Sequence, residues 1–351
     1  MNSRERVLLA INHKEPDRLP VFRPNMIPTY EPLDDRVRDF LDTFEFDRFA
    51  GVGFIKSPDV RRDLPDDMVE DGYGCKFKYK GVGSPYCVYS PLADVKTIDD
   101  VDAFDWPDPC KDEVDKERAL NKAKELREKG EYATVVGIGM LFHRYQWLRG
   151  FNQWLLDMKT NPELHKAIAD HIYHINSSIA LRTLDVVGDY TDIVSTGDDF
   201  GTSTAPLMSP EDFKEHIKPY FKEFIGKVKS KFPHIKFYLH SHGQIMDLVP
   251  DLIDCGVDIL NPILPLDNMN PAVLKEKYGH QLCFEGGIDI ERVLPFETVD
   301  KVEDHVKRVI DILAPGGGFM FKAQAISYLI SYENLNTTYN LALTYGRYDK
   351  N

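Results

Sequence analysis

Lys236-Phe237-Tyr238-Leu239-His240-Ser241-His242-Gly243 reads as a β-strand that ends in two histidines one residue apart. Side chains alternate faces along a strand, so Tyr238, His240 and His242 share one face and Phe237 and Leu239 the other. A strand that is apolar on one side and carries two imidazoles at its end fits a barrel wall. The apolar side packs on helices, and the polar side opens into a site. His-x-His on one face is also a common way to supply two zinc ligands, the plain alternative being a hydrogen-bonded structural pair.

Outward from this stretch, eight short apolar segments recur: Leu19–Arg23, Phe49–Ile55, Tyr132–Met140, Asp192–Thr196, Lys236–His242, Ile259–Leu264, Leu282–Glu285 and Gly318–Lys322. Helical patterns separate most of them. Asn161-Pro162-Glu163 starts one helix, with Leu164, Ile168, Ile172, Ile175 and Ile179 on one stripe and Gly188 beyond its end. Ser209-Pro210-Glu211-Asp212 and Asn270-Pro271 start two more, since Asn and Ser cap well and Pro suits the first helical position. Eightfold strand–helix alternation predicts an α/β (β/α)8 barrel as a single domain over residues 1–351, with an open doubly wound sheet as the competitor. Residues 56–112 interrupt the alternation. They are rich in Pro, Asp and Gly and hold a hairpin, Lys76–Lys80 and Tyr86–Tyr89 around Gly81–Ser84. This segment reads as an insertion after the second strand that covers the barrel mouth. Gly316-Gly317-Gly318 precedes the eighth strand, which places it at the bottom face as a tight turn rather than a phosphate cradle.

The composition is that of a soluble globular chain: 351 residues, 42% hydrophobic and 28% charged. A formal net charge of −14, from 43 basic and 57 acidic residues, repels phosphate backbones and argues against nucleic acid as partner. The five cysteines are scattered and form no C-x-x-C, as expected of reduced thiols in a cytoplasmic protein. No signal peptide and no membrane-spanning run is read.

Barrel enzymes work at the carboxyl ends of their strands. Those ends supply Arg23 and Asn25, then Gly53, then His143 and Tyr145, then Asp198 and Asp199. They continue with His240 and His242, Asn261, Glu285 and Asp289, and Lys322 and Gln324. Strand parity turns Cys283 and Glu285 inward and Leu282 and Phe284 outward. Two histidines and Glu285 make a candidate zinc set with an open fourth position, and an ion pair of Glu285 with Arg23 or Lys322 is the alternative. Asp198 or Asp199 would orient a ligand or position substrate, a turn cap being the plain alternative for the pair, and Tyr145 or His143 could supply a proton.

Several segments, in order along the chain, resemble the uroporphyrinogen decarboxylase superfamily, which includes zinc-dependent, corrinoid-linked methyltransferases. They are Ser3-Arg4-Glu5-Arg6-Val7-Leu8-Leu9-Ala10, Pro16-Asp17-Arg18-Leu19-Pro20, Leu148-Arg149-Gly150 and Gly197-Asp198-Asp199-Phe200-Gly201 with Met208-Ser209-Pro210-Glu211. His240-Ser241-His242-Gly243, Gly256-Val257-Asp258-Ile259-Leu260-Asn261-Pro262, Gly286-Gly287-Ile288-Asp289 and Gly317-Gly318-Phe319 follow. The resemblance implies a (β/α)8 barrel. Decarboxylases of the family carry an N-terminal Arg-Gln-Ala-Gly-Arg segment that grips carboxylates, where this chain reads Arg23-Pro24-Asn25-Met26. The methyltransferases carry His-x-Cys-Gly at the fifth strand and a further cysteine after the eighth. Here His242 stands for the first cysteine, and Lys322-Ala323-Gln324-Ala325 offers none.

With His240, His242 and Glu285 as ligands, zinc would be a stronger Lewis acid than with thiolates, suited to activating a leaving oxygen. The resemblance thus implies a methyltransferase that takes a methyl group from a small O- or N-methylated substrate, such as a methyl ether. The acceptor is a corrinoid (cobalamin) on a partner protein. Arg23, Asn25, Asn261, Lys322 and Gln324 are expected to line the substrate, and a homodimer is compatible with the reading. A metal-dependent decarboxylase or lyase, and a non-catalytic corrinoid or small-ligand binder, are the alternatives.

Overall fold

The computed structural model describes residues 1–27, 32–53, 62–79, 85–109, 116–139 and 142–349. Their strands are β1 (Asn25–Met26), β2 (Phe49–Gly51), β3 (Arg62–Leu64), β4 (Met68–Glu70), β5 (Lys76–Lys78), β6 (Tyr86–Tyr89) and β7 (Ala133–Gly137). β8 (Ile193–Gly197), β9 (Lys236–His240), β10 (Ile259–Ile263), β11 (Cys283–Gly287), β12 (Phe319–Lys322) and β13 (Ala325–Ile326) complete the set. Seven of them form one parallel sheet in the order β12-β11-β10-β9-β8-β7-β2. The eighth expected strand, Leu19–Arg23, forms no ladder. Pro20 and Pro24 lack the N–H a ladder needs, and the segment instead bridges the two sheet edges. Val21 pairs with Phe321 and Phe22 with Asp47, both in parallel. Phe22 N donates to Phe321 O at 2.8 Å, and Asp47 N to Val21 O at 2.8 Å. The sheet therefore curls into the predicted barrel, with all carboxyl ends at one mouth. Phe54, Ile55, Met140 and the Gly81–Ser84 turn lie outside the described residues.

Parity sorts the side chains as expected. Phe237, Leu239, Leu282 and Phe284 join the large layer between barrel and helices. Ala133, Ile193, Ile259, Cys283 and Met320 fill the barrel interior, with Phe49, Val135 and Tyr238 packed on them. The same interior cluster contains Val7, Ala10 and Ile11 of the helix Ser3–Ile11. That helix closes the bottom of the barrel, a role its sequence did not announce. The Gly316–Gly318 turn, all three residues at positive φ, meets it there: Gly318 N donates to Ala10 O at 2.9 Å. Among the helices, Pro162–Val187 buries Leu164, Ile168, Ile172, Ile175 and Ile179 as one stripe, with the Asn161 side chain accepting from Leu164 N.

The insertion holds more than a hairpin. β3, β4, β5 and β6 form a four-stranded antiparallel sheet. Asp71 from this segment pairs with Arg144, and Phe77 meets the Trp147 ring edge-on at 5.0 Å. Arg144 and Trp147 belong to the helix His143–Arg149, so the insertion buttresses the helix that opens with His143. No helix among the described residues is long and apolar enough to cross a membrane.

Candidate active site

The loops after β8 and β9 touch, and the contact needs glycine on both sides. Gly243 sits at φ +99°, and a Cβ there would lie 2.4 Å from the Gly201 carbonyl carbon. The approach lets His242 N donate to Asp199 Oδ1 at 2.8 Å. Asp199 thereby stands between two imidazoles. His240 Nε2 lies 3.8 Å from its Oδ1, and His143 Nδ1 lies 3.9 Å from its Oδ2. Burial lowers the His143 pKa, Asp199 opposes that shift, and His240 adds to it. Asp198, fully buried, accepts from Phe142 N at 2.7 Å and His143 N at 2.8 Å. It caps the start of the His143 helix, where a carboxylate also complements the helix dipole. Of the aspartate pair, Asp199 faces the imidazoles and Asp198 fixes the helix that supplies one of them.

Behind His240 a chain of side chains crosses four adjacent strands. His240 Nδ1 is 2.6 Å from Asn261 Oδ1. Asn261 Nδ2 donates to Glu285 Oε1 at 2.8 Å and to Gln324 Oε1 at 2.9 Å. Tyr238 OH donates to the same Glu285 oxygen at 3.2 Å, and Lys322 Nζ lies 3.4 Å from it. Asn261, Glu285 and Gln324 are all buried.

The expected zinc set does not assemble. Glu285 is held by Lys322, Asn261 and Tyr238. Its Oε2 is buried without a partner, yet among the described residues no three His, Cys, Asp or Glu side chains converge on one point as a metal would require. His242 turns elsewhere: its Nε2 lies 3.5 Å from Asp267 Oδ2. With no thiolates in the motif positions, His242 set against Asp267 and Glu285 against Lys322, His240, His242 and Glu285 do not converge on a zinc site as they stand.

Further expectations need correction. Tyr145 is fully buried, its hydroxyl donating to His165 O at 3.3 Å and its ring packed on His165, so it is a core residue with no path to the mouth. Arg23 is exposed and pairs with Asp42, not with Glu285. Asn25 contributes its backbone, donating N–H to Gln324 O at 3.0 Å, and its side chain is exposed. Lys322 and Gln324 reach the site, but as internal partners of Glu285 and Asn261. Asp289 caps the start of the next turn, accepting from Glu291 N and Arg292 N.

Asp267 was missed. Its carboxylate is buried, accepts from Gly243 N at 3.3 Å and has its pKa raised chiefly by burial. It follows β10 in the turn Pro265–Asp267, where an aspartate ordinarily signals only a turn. Tyr238 had a signal, its shared face with His240, that pointed to the Glu285 contact.

A family model described as Uroporphyrinogen decarboxylase (URO-D) matches residues 68–331. Curated relatives match over shorter stretches. A uroporphyrinogen decarboxylase of Chlorobaculum tepidum is 23% identical over 108 residues, 31% of this chain and 29% of that protein. One of Chlorobium phaeobacteroides is 20% identical over 153 residues, 44% of this chain and 40% of that protein. The chain thus spans less than half the length of these relatives. Among solved structures, a methyltransferase from Methanosarcina mazei superposes with a TM-score of 0.64 at 15% identity, covering 98% of this chain and 99% of that one. That likeness is one of fold.

Proposed function

The chain belongs to the uroporphyrinogen decarboxylase family, and we propose that it works as a methyltransferase of that family, moving a methyl group from a small O- or N-methylated donor to the reduced cobalt of a corrinoid on a partner protein. The observation that carries this reading is Asp199 flanked by His143 and His240 at the barrel mouth. An alkoxide or phenoxide is a poor leaving group, and a positioned acid that protonates it as the bond breaks is worth roughly 10²- to 10⁴-fold. The carbon–oxygen bond breaks, the methyl group passes to cobalt(I), which supplies the electron pair, and the oxygen departs with a proton. His240 hands over that proton, because its Nε2 faces the mouth while Asn261 holds its Nδ1. Asp199 stabilises the charge on the rings beside it, and Asp267 does the same for His242. No step is routed through zinc, whose expected ligands do not converge among the described residues.

Decarboxylation of a porphyrinogen suits this mouth badly. Eight substrate carboxylates would meet Asp199, with the buried carboxylate of Asp267 close by, while Lys322 is already paired with Glu285 and Arg23 lies out on Asp42. The test mixes purified protein, a methoxylated aromatic donor and a cobalt(I) corrinoid, following the corrinoid spectrum. Methyl transfer that falls at least about 100-fold in Asp199→Asn is the expected result. Inert ethers and amines together with coproporphyrinogen formation from uroporphyrinogen would overturn the assignment.

A further inference from the structure

We infer that Asn261 is a positioning residue that locks His240 in the Nδ1–H tautomer, and that buried Glu285 enforces the lock. The argument is one of donors and acceptors. A carboxylate accepts only, and an Asn amide has one accepting and one donating end. Glu285 Oε1 already receives Tyr238 OH and lies beside Lys322 Nζ, so it stands as an acceptor. The Asn261 group 2.8 Å from it must then be the NH₂ end, whose second proton goes to Gln324 Oε1 at 2.9 Å. A flipped amide would set oxygen against oxygen at the Glu285 contact, in a buried place where an unmade hydrogen bond is costly. With NH₂ so directed, Asn261 Oδ1 points at His240 Nδ1 across 2.6 Å. An oxygen that only accepts demands a proton on Nδ1. The neutral ring therefore presents a bare Nε2 toward Asp199 and the mouth, 3.8 Å from Oδ1.

The lock rests on neighbouring strands: His240 on β9, Asn261 on β10, Glu285 on β11 and Lys322 on β12. The pairing of Asn261 with His240 in the β9–β10 register makes it a property of the barrel wall. Nε2 can take up a proton from the mouth and return it there without the ring turning. That consequence rests on the methyl-transfer reading, whereas the tautomer does not.

Two-bond ¹H–¹⁵N correlation NMR on histidine-labelled protein, at about pH 9 where imidazoles are neutral, reads the tautomer directly. His240→Gln assigns the signal by its loss. The wild type should show the Nδ1–H pattern for His240. Asn261→Leu should convert it to Nε2–H or to a mixture. Glu285→Gln, which keeps size and shape, should also relax it, because an amide at 285 can donate to a flipped Asn261. Nε2–H in the wild type overturns the inference, as does unchanged Nδ1–H in both variants. If Asn261→Leu fails to fold, Glu285→Gln decides alone. In the methyl-transfer assay Asn261→Leu should lower kcat by about 10- to 100-fold with little change in KM. A wild type that shows the Nδ1–H pattern but transfers no methyl group leaves the lock standing and sinks the proposed reaction.

Discussion

Lys322 was expected to touch substrate, and its contact with Glu285 changes what its removal should do. The carboxylate is almost entirely buried and the lysine side chain is 14% exposed. Removing one partner of a buried pair strands the other charge, at a cost of about 3–5 kcal/mol, whereas replacing both with apolar groups is often neutral. Lys322→Met should therefore shift the urea midpoint strongly downward, and Lys322→Met with Glu285→Gln, which removes the stranded charge but keeps an acceptor for Asn261 and Tyr238, should recover most of the loss. A single variant as stable as the wild type would show that the pair contributes little, and would return Lys322 to the role of a substrate contact.

Between residue and fold, the segment opened by Ser209-Pro210 departs from a plain helix. Residues Phe213–Ile217 form a π turn before the helix Lys218–Lys231. Pro219 has no N–H and its ring crowds the carbonyl four residues back, and the wide turn just before it relieves both problems. The turn brings the His216 ring to 4.9 Å from that of His165, which is 1% exposed with an unpartnered Nε2. Burial first, and His216 second, pull the His165 pKa from 6.5 down to about 4. The folded state then binds fewer protons than the unfolded state between those values. Stability is complete above pH 6.5 and falls as pH drops toward 4, by on the order of 3 kcal/mol from this group. Urea midpoints at about pH 7.5 and about pH 4.5 should show the drop, and His165→Phe should flatten part of it. An identical slope in that variant would assign the acid sensitivity to other groups.

At the scale of the molecule, the barrel is closed below by its first helix. Val7, Ala10 and Ile11 are all but fully buried in the barrel interior. Arg6 joins Asp17 and Asp47, and Arg4 joins Asp192. At about 1.5–3 kcal/mol for each large apolar side chain, exposing this floor costs roughly 5 kcal/mol before the ion pairs are counted. That is comparable to the whole stability of many domains. A chain lacking residues 1–12 should lose its cooperative unfolding transition and bind dyes that report exposed apolar surface. A sharp melt near that of the full chain would show that the floor is dispensable.

Period and punctuation in the sequence determined a good deal. Alternation within Lys236–His242 placed Tyr238 and His240 on the inner face, Leu282–Glu285 turned its acid inward, and eight strand–helix repeats gave the barrel, because these patterns follow from local backbone geometry. The shared face of Asp199, His143 and His240 was within reach of the same reasoning, since strand ends converge at one mouth. Which of those groups pair was legible only as alternatives or not at all. Glu285 met Lys322, one of the alternatives, together with Asn261, while His242 met Asp267, Tyr145 went into the core against His165, and the first helix went under the barrel. Each outcome depends on distances between segments far apart in the chain. There, burial penalises any charge or hydrogen-bonding group left alone, so the choice of partner is settled only when the whole wall closes.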